Sequence, residues 1–146
     1  MTATTQEPDL RIAGFALWVD ARTAPESDDY WDGNWLEVRA RYEASESSVR
    51  AAGALIHTSE LVTLATGCRK LLAGEAAEAG LYCSAPNLKL ELWSAPGGAV
   101  VGKLRITPDH QAELHDYGFA TDAAGIEALV AACTRVLDRF PLRGKR

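Results

Sequence analysis

The sequence lacks the excess of basic residues that is typical of nucleic-acid-binding proteins. Lysine and arginine together number 15 against 20 aspartates and glutamates, which gives a formal net charge of -5 at pH 7. A protein that binds nucleic acid by releasing counterions needs a basic surface. The deficit of positive charge argues against this class, and we expect no nucleic-acid partner.

Paired cysteines and long apolar runs are also lacking. Cys68, Cys83 and Cys133 are widely spaced and form no C-x-x-C pair for zinc or redox chemistry. The apolar stretch over residues 14–19 is too short to cross a bilayer, and residues 1–9 lack the basic start and apolar core of a secretory signal. These absences predict a cytoplasmic protein without a membrane segment.

What is present is the composition of an ordinary globular domain. The 146 residues are 47% hydrophobic and 24% charged. A chain of this length can bury about 70% of its unfolded surface without metals or cross-links. We therefore expect one domain over residues 1–146, with flexible tails at residues 1–8 and 142–146.

Apolar segments bounded by turn residues predict seven strands. The clearest case is the segment over residues 35–42, where Leu36, Val38, Ala40 and Tyr42 alternate with charged residues, as in a half-buried strand. Clusters of turn residues separate several of the other segments. The predicted strands cover residues 10–19, 35–42, 49–57, 80–84, 88–93, 100–106 and 112–120.

Two segments have the apolar spacing of an amphipathic helix. The first begins at residues 58–60 (Thr-Ser-Glu), which offer a hydroxyl N-cap and a first-turn acid, and it ends near Gly74. The second begins at residues 121–122 and ends at Phe140, because Pro141 disfavours a helical conformation in the residue before it. The order βββ-α-ββββ-α predicts an α+β fold with two helices packed on a mostly antiparallel sheet.

Motifs that resemble phosphate or calcium sites fail on their context. Residues 97–103 satisfy G-x-x-x-x-G-K, but they lie in a predicted turn before a strand, and Leu104 replaces the hydroxyl that would bind magnesium. A calcium loop that starts at Asp28 would need a bidentate glutamate where Arg39 stands. Neither segment therefore predicts a ligand site.

The histidines and cysteines predict no reactive site either. An odd separation places His110 and His115 on opposite faces of a strand, so they cannot share a metal ion. Cys68 and Cys133 fall on the apolar stripes of their helices, where a buried thiol behaves as a small apolar group. The sequence therefore indicates no catalytic residue, no cofactor and no metal ligand.

One segment combines acidic and aromatic side chains at high density. Between Asp20 and Glu37 there are six acids and one base, Arg22, so its local charge equals the net charge of the whole chain. The aromatic residues either pin a tight turn to the next strand or form, with the carboxylates, a recognition surface for a basic partner. The residues predicted to bind a partner are Asp28, Asp29, Tyr30, Trp31, Asp32 and Trp35.

Three passages together resemble a known family. Residues 29–36 (DYWDGNWL) are similar to its acidic D-x-W-D-x-N-W-L block, residues 57–61 (HTSEL) to a helix start, and residues 86–92 (PNLKLEL) to its P-N-L strand. Ala85 departs from the pattern, which has an acid before the proline. The family is that of the WapI-type immunity proteins, small bacterial cytosolic antidotes to secreted toxins, and the resemblance extends over residues 10–141. It implies binding and blocking of one toxin domain, with no catalytic residue and no cofactor.

Three classes of function remain open from the sequence. The leading hypothesis is a non-enzymatic protein that binds a basic toxin domain, such as a nuclease, through the acidic segment. The second is a small-molecule-binding or enzymatic domain, with a pocket between the sheet and the helix over residues 121–140 that is lined by His57 or His115. The third is a structural or oligomerisation module, which a tryptophan on a solvent-facing strand position, Trp93, suggests. The sequence does not define the oligomeric state.

Overall fold

Strands and helices follow one another in the predicted order. Residues 6–145, which the computed structural model describes, contain eight β-strands, two α-helices and one short 3-10 helix. The strands are β1 (Leu10–Ile12), β2 (Phe15–Arg22), β3 (Trp35–Glu43), β4 (Ser48–His57), β5 (Glu78–Tyr82), β6 (Leu88–Ser94), β7 (Ala99–Ile106) and β8 (Asp116–Asp122). The helices are α1 (Thr58–Leu72), α2 (Ala123–Arg139) and the 3-10 helix Pro96–Gly98. Within this part of the chain no helix is long and apolar enough to cross a membrane.

The eight strands of the described residues form two antiparallel sheets of four strands each. β1 to β4 form the first sheet in sequence order, and β5 to β8 form the second. All neighbouring strands are antiparallel, so turns and short loops can connect them, while α1 leads from the first sheet to the second. The α+β fold and its order of elements are confirmed.

Alternate residues of the strands and one stripe of each helix form the hydrophobic core. In β3 the side chains of Leu36, Val38, Ala40 and Tyr42 are buried in this core, and the residues between them point to the other face. α1 packs against β5 and α2, and α2 packs against β1 and β8. The core residues of the helices are Leu61, Leu64, Ala65, Cys68, Leu71, Ile126, Leu129, Ala132, Cys133 and Val136. Both sheets and both helices therefore contribute side chains to one core.

The segment over residues 10–19, predicted as one strand, is a hairpin of two strands. β1 and β2 are joined at Ala13, whose φ of +50° is left-handed, and at Gly14. A Cβ at Gly14 would lie 2.2 Å from the carbonyl oxygen of Glu43, so the turn requires glycine there. The prediction was wrong because alanine and glycine did not interrupt the apolar pattern.

The strand predicted over residues 112–120 begins later, at Asp116. The carbonyl oxygen of Asp109 accepts hydrogen bonds from the N–H groups of Ala112 and Glu113 at 3.1 and 2.8 Å. Its carboxylate also accepts the N–H of Gln111 at 3.1 Å. This turn occupies the backbone that would otherwise extend β8.

An imidazole caps α1, rather than the predicted hydroxyl. Nδ1 of His57 accepts the N–H of Ser59 at 3.3 Å, and the carboxylate of Glu60 accepts the N–H of His57 at 2.7 Å. With Nδ1 as an acceptor, the proton is on Nε2, which donates to the carbonyl of Tyr30 at 3.0 Å. The hydroxyl of Thr58 donates instead to the carbonyl of Asn34 at 3.0 Å. The start of α1 is thus bonded to the acidic segment.

The three cysteines should be unreactive in the folded protein. Burial raises the pKa of the Cys68 thiol to about 11 and that of Cys133 to about 12, and it also raises the pKa of Cys83. Only the thiolate attacks an alkylating reagent. At neutral pH we expect iodoacetamide to label none of the three in native protein and all three in denaturant, counted by mass spectrometry. Native labelling as fast as in the denatured chain would contradict this.

Candidate functional site

The acidic segment connects β2 to β3, and we call residues 23–34 the acidic loop. β3 pairs with β4 so that Trp35 lies opposite His57, the residue that caps α1. The end of the acidic loop therefore lies beside the first turn of α1. This contact places the loop at one end of the first sheet.

A buried amide, that of Asn34, holds the acidic loop. Its Nδ2 donates to the carbonyl oxygens of Tyr30 at 2.7 Å and Arg143 at 2.9 Å. Its Oδ1 accepts from the N–H of Arg143 at 2.9 Å and from the guanidinium of Arg22 at 3.2 Å. The backbone oxygen of Asn34 accepts the N–H of Thr58 at 2.8 Å. One residue thus joins the loop, the helix start and the C-terminal segment.

Arg22 supports the same junction from inside the protein. Its side chain is 7% exposed and donates to the carbonyl oxygens of Gly33, at 2.7 Å, and Pro141. The guanidinium also lies 5.9 Å from the ring centroid of Phe140. Burial lowers the pKa of Arg22, and the positive charge of Arg143 lowers it further. Carbonyl dipoles therefore satisfy this cation, and the acids of the loop remain on the surface.

The C-terminal segment packs along the acidic loop. The guanidinium of Arg143 donates to the carbonyl oxygens of Pro25 at 2.6 Å and Ser27 at 2.9 Å. At Gly144, where φ is +70°, a Cβ would lie 2.8 Å from the carbonyl oxygen of Asp28. This segment falls within residues 142–146, whose flexibility stays a prediction.

Asp29 has a local structural role. Its Oδ2 accepts the N–H groups of Trp31 at 3.0 Å and Asp32 at 2.9 Å, while its carbonyl accepts the N–H of Gly33 at 2.8 Å. Asp28 and Asp32 are exposed, and neither carboxylate accepts a hydrogen bond within residues 6–145. The three predicted aspartates therefore differ: one shapes the loop, and two face solvent.

The aromatic residues of the predicted site surround His57. The ring centroids of Tyr30, Trp31 and Trp35 lie 5.2, 5.9 and 5.2 Å from that of His57. Tyr30 and Trp31 also contact each other edge to face at 4.9 Å. Trp31 is 54% exposed, whereas Tyr30 and Trp35 are half-buried. The structure thus brings all six predicted site residues to one end of the first sheet.

The surface charge of the loop is smaller than the sequence count implies. Asp20 lies in β2 and forms two hydrogen bonds of 2.9 Å with Arg39, which lower the pKa of this carboxyl. Arg143 adds a positive charge against the loop backbone. Glu26 and Asp32, together with Asp28 and Asp29, remain as its exposed acids. The surface of the loop is acidic, but it is less negative than the count of acids between Asp20 and Glu37 implies.

The cavities do not favour the small-molecule hypothesis. His57 is buried in the cap of α1, and neither His57 nor His115 lines any of the four best-defined cavities of residues 6–145. A depression of about 170 Å³ near the start of α2 is lined mostly by apolar and small side chains. Trp93 is half-buried opposite Val101 in the second sheet, so it is partly covered.

Sequence reasoning missed the residues that hold the loop in place. Arg22 carried a signal, because it is the single base among the acids and it ends an apolar strand. Asn34 stands inside the DYWDGNWL block but was not assigned a role. Arg143 gave no local signal, because its contacts join residues 109 or more positions apart.

Comparisons with known proteins give one family and one remote structural likeness. A family model described as the immunity protein WapI-like family matches residues 9–141. A search of the curated proteins finds no match. Among solved structures, a chain from a "guideRNA-binding protein complex bound to a gRNA" has a TM-score of 0.46 and 13% sequence identity, over 92% of this chain and 87% of that chain. This likeness is too remote to carry an argument.

Removing the amide of Asn34 should destabilise the whole protein. Asn34→Ala removes four side-chain hydrogen bonds at a buried position, among them both bonds to the backbone of Arg143, and we expect a loss of about 3 kcal/mol in the free energy of unfolding. The matched control is Asn87→Ala, which removes two hydrogen bonds at a half-buried site and should cost about 1 kcal/mol. Urea denaturation measures both. Equal losses in the two variants would contradict the central role of Asn34.

The neighbouring aspartates should differ in their effect on stability. Asp29→Ala removes the acceptor for two backbone N–H groups and should cost about 1 kcal/mol, as the loss of a helix cap does. Asp28→Ala and Asp32→Ala should each change stability by less than about 0.5 kcal/mol. Thermal and urea unfolding of the three variants test this order, and a neutral Asp29→Ala would refute it.

Proposed function

Because the chain belongs to the immunity protein WapI-like family, we propose that it binds the toxin domain of a bacterial protein and blocks it in the cytoplasm. The observation that carries the proposal is the exposed ring of Trp31 in the same loop as the exposed carboxylates of Asp28 and Asp32. Large aromatic residues supply much of the energy of protein interfaces. The acidic loop is therefore the surface that we assign to the toxin.

The fixed backbone of the loop supports this assignment. Asn34 and Arg22 hold it from inside, and Arg143 holds it from the C-terminal segment. A surface that is ordered before binding loses less conformational entropy in the complex. In this arrangement Trp31, Asp28 and Asp32 contact the toxin directly, while Asp29, Tyr30 and Trp35 keep the loop in shape.

The charge of the loop favours a basic partner. Complementary charge accelerates association, and a buried aromatic residue slows dissociation. A toxin domain that acts on a polyanion, such as a nuclease, has a basic active face of the kind that this loop complements. The chain then blocks its partner by covering that face, without catalysing a reaction of its own.

Charge reversal on the acidic loop should weaken the complex. The probe is a purified candidate toxin domain, and biolayer interferometry measures its binding at low and high salt. Asp28→Lys/Asp32→Lys should lower the affinity by about 10- to 100-fold, mainly through slower association, and should flatten the salt dependence. The control Glu46→Lys/Glu75→Lys changes the net charge by the same amount. Its two positions follow the ends of β3 and α1 that are far from the acidic loop, so this variant should bind like wild type.

Trp31→Ala separates the aromatic contribution from the charge. We expect at least about tenfold faster dissociation and an unchanged salt dependence. Wild-type affinity in both loop variants would rule out the acidic loop as the contact surface. An equal loss in the Glu46→Lys/Glu75→Lys control would show that net charge acts at long range instead.

A further inference from the structure

The fold leaves one face of the first sheet without a covering helix. We call it the outer face: it consists of Trp35, Glu37, Arg39 and Arg41 of β3 with their neighbours on β2 and β4. A groove of about 540 Å³ lies on this face, lined by residues of these three strands and by Gln6. Among residues 6–145 no helix covers this face, and Gln6 borders the groove, where it accepts hydrogen bonds from Nε1 of Trp18 and from the guanidinium of Arg39.

Three arginines, Arg39, Arg41 and Arg50, lie close together toward one end of the outer face. Arg41 and Arg50 are direct cross-strand partners, a position in which like charges repel. The guanidiniums of Arg39 and Arg41 lie 5.4 and 5.1 Å from the ring centroid of Trp18, which holds them in place. Asp20 binds Arg39, and a carboxylate oxygen of Glu43 lies 3.4 Å from Nε of Arg41, whereas Arg50 forms no ion pair within residues 6–145. This end therefore carries three arginines against two acids, and Arg50 is the arginine without an acidic partner among the described residues.

The other end of the outer face is acidic. Glu26 and Asp32 of the acidic loop line a second groove of about 510 Å³ together with Trp35 and Ala54. The loop therefore borders the same face as the arginines. Trp35 and Arg41 are six residues apart in β3, which places the two ends about 20 Å apart.

We propose that the outer faces of two copies of this chain pack against each other around a two-fold axis. Such an axis can bring the acidic loop of each copy to Arg41 and Arg50 of the other. The exposed alanines Ala52 and Ala54 near the centre allow the two sheets to approach closely. Opposite charges at the two ends of one face select a second copy as the occupant.

The acids among the arginines argue against a nucleic acid on this face. Asp20, Glu37 and Glu43 share the outer side of the sheet with the arginines, and the whole chain has a net charge of -5. A phosphate backbone carries a charge every few ångströms and would be repelled by these carboxylates. A loop of a second copy brings its carboxylates to the arginine end alone.

The size of the face predicts a weak dimer. Three strands spaced about 4.8 Å apart and about 25 Å long offer roughly 350 Å² per copy. The total is at or below the lower limit of specific interfaces, so we expect a dissociation constant of about micromolar or weaker. Because the contacts are charged and near solvent, the dimer should dissociate as salt rises.

The dimer shares the acidic loop with the proposed toxin complex but does not depend on a toxin. Docking through Glu26 and Asp32 would bring a second copy against part of the loop, so a toxin and a second copy would compete for it. The dimer is measured with this chain alone. A chain that does not dimerise would therefore contradict the dimer alone and would leave the toxin hypothesis unaffected.

Analytical ultracentrifugation of the full chain tests the dimer. Wild-type protein should self-associate at about 0.05 M salt and become monomeric at about 0.5 M. Arg41→Glu/Arg50→Glu and Glu26→Arg/Asp32→Arg should each weaken association at least about tenfold, because like charges then meet. An equimolar mixture of the two variants should associate again, since each supplies the charge that the other lacks. The control Glu75→Lys/Glu127→Lys changes exposed acids after α1 and in α2, away from the outer face, and it should associate like wild type.

Circular dichroism first establishes that each variant is folded. A wild-type chain that stays monomeric at low salt up to about millimolar concentration overturns the proposal. Self-association that persists in both charge-reversed variants overturns it as well, because another surface then forms the dimer. Failure of the mixed variants to associate rejects the pairing of the loop with the arginines.

Discussion

The acidic loop depends on the amide of Asn34, whose donor and acceptor atoms are both used inside the protein. Its Nδ2 needs the carbonyls of Tyr30 and Arg143, and its Oδ1 needs the guanidinium of Arg22. A carboxylate in this position would lack the donor, and an apolar residue would lack both. The amide therefore selects one relative position for the loop, the start of α1 and the C-terminal segment.

This arrangement separates the buried polar groups from the surface charges. The buried cation Arg22 is satisfied by carbonyl oxygens rather than by an acid of the loop. Asp29 is used for backbone N–H groups, while Asp28 and Asp32 stay exposed. The stability of the loop and the charge it presents thus depend on different residues.

Periodicity in the sequence was enough to predict the α+β class and the order of its elements. The alternation in β3 and the apolar stripes of both helices report burial directly, and the structure confirms them. The turn at Ala13 and Gly14 was missed because it depends on close approach to Glu43, which is distant in sequence. The division into two sheets follows from which strands pair, and strand periodicity does not contain this information.

The candidate site was predictable in its location but not in its internal contacts. Density of acidic and aromatic residues marked the segment, and the six predicted residues do lie together around His57. The distinction between Asp29 and its neighbours depends on backbone geometry, which residue type alone does not define. The uneven distribution of charge on the outer face is likewise visible only after the strands are paired. Arg41 and Arg50 are nine positions apart in sequence but lie opposite each other in β3 and β4.

The contact between Asn34 and Arg143 joins residues 109 positions apart, and this distance has a consequence for biosynthesis. A nascent chain emerges from the ribosome N-terminus first, at about 5 to 20 residues per second. Residues 23–34 therefore emerge roughly 5 to 20 seconds before the segment that completes their hydrogen bonds. The first sheet can form during translation, whereas the loop reaches its final geometry only once translation has passed Arg143. A prematurely terminated chain would contain the sheet without the finished loop.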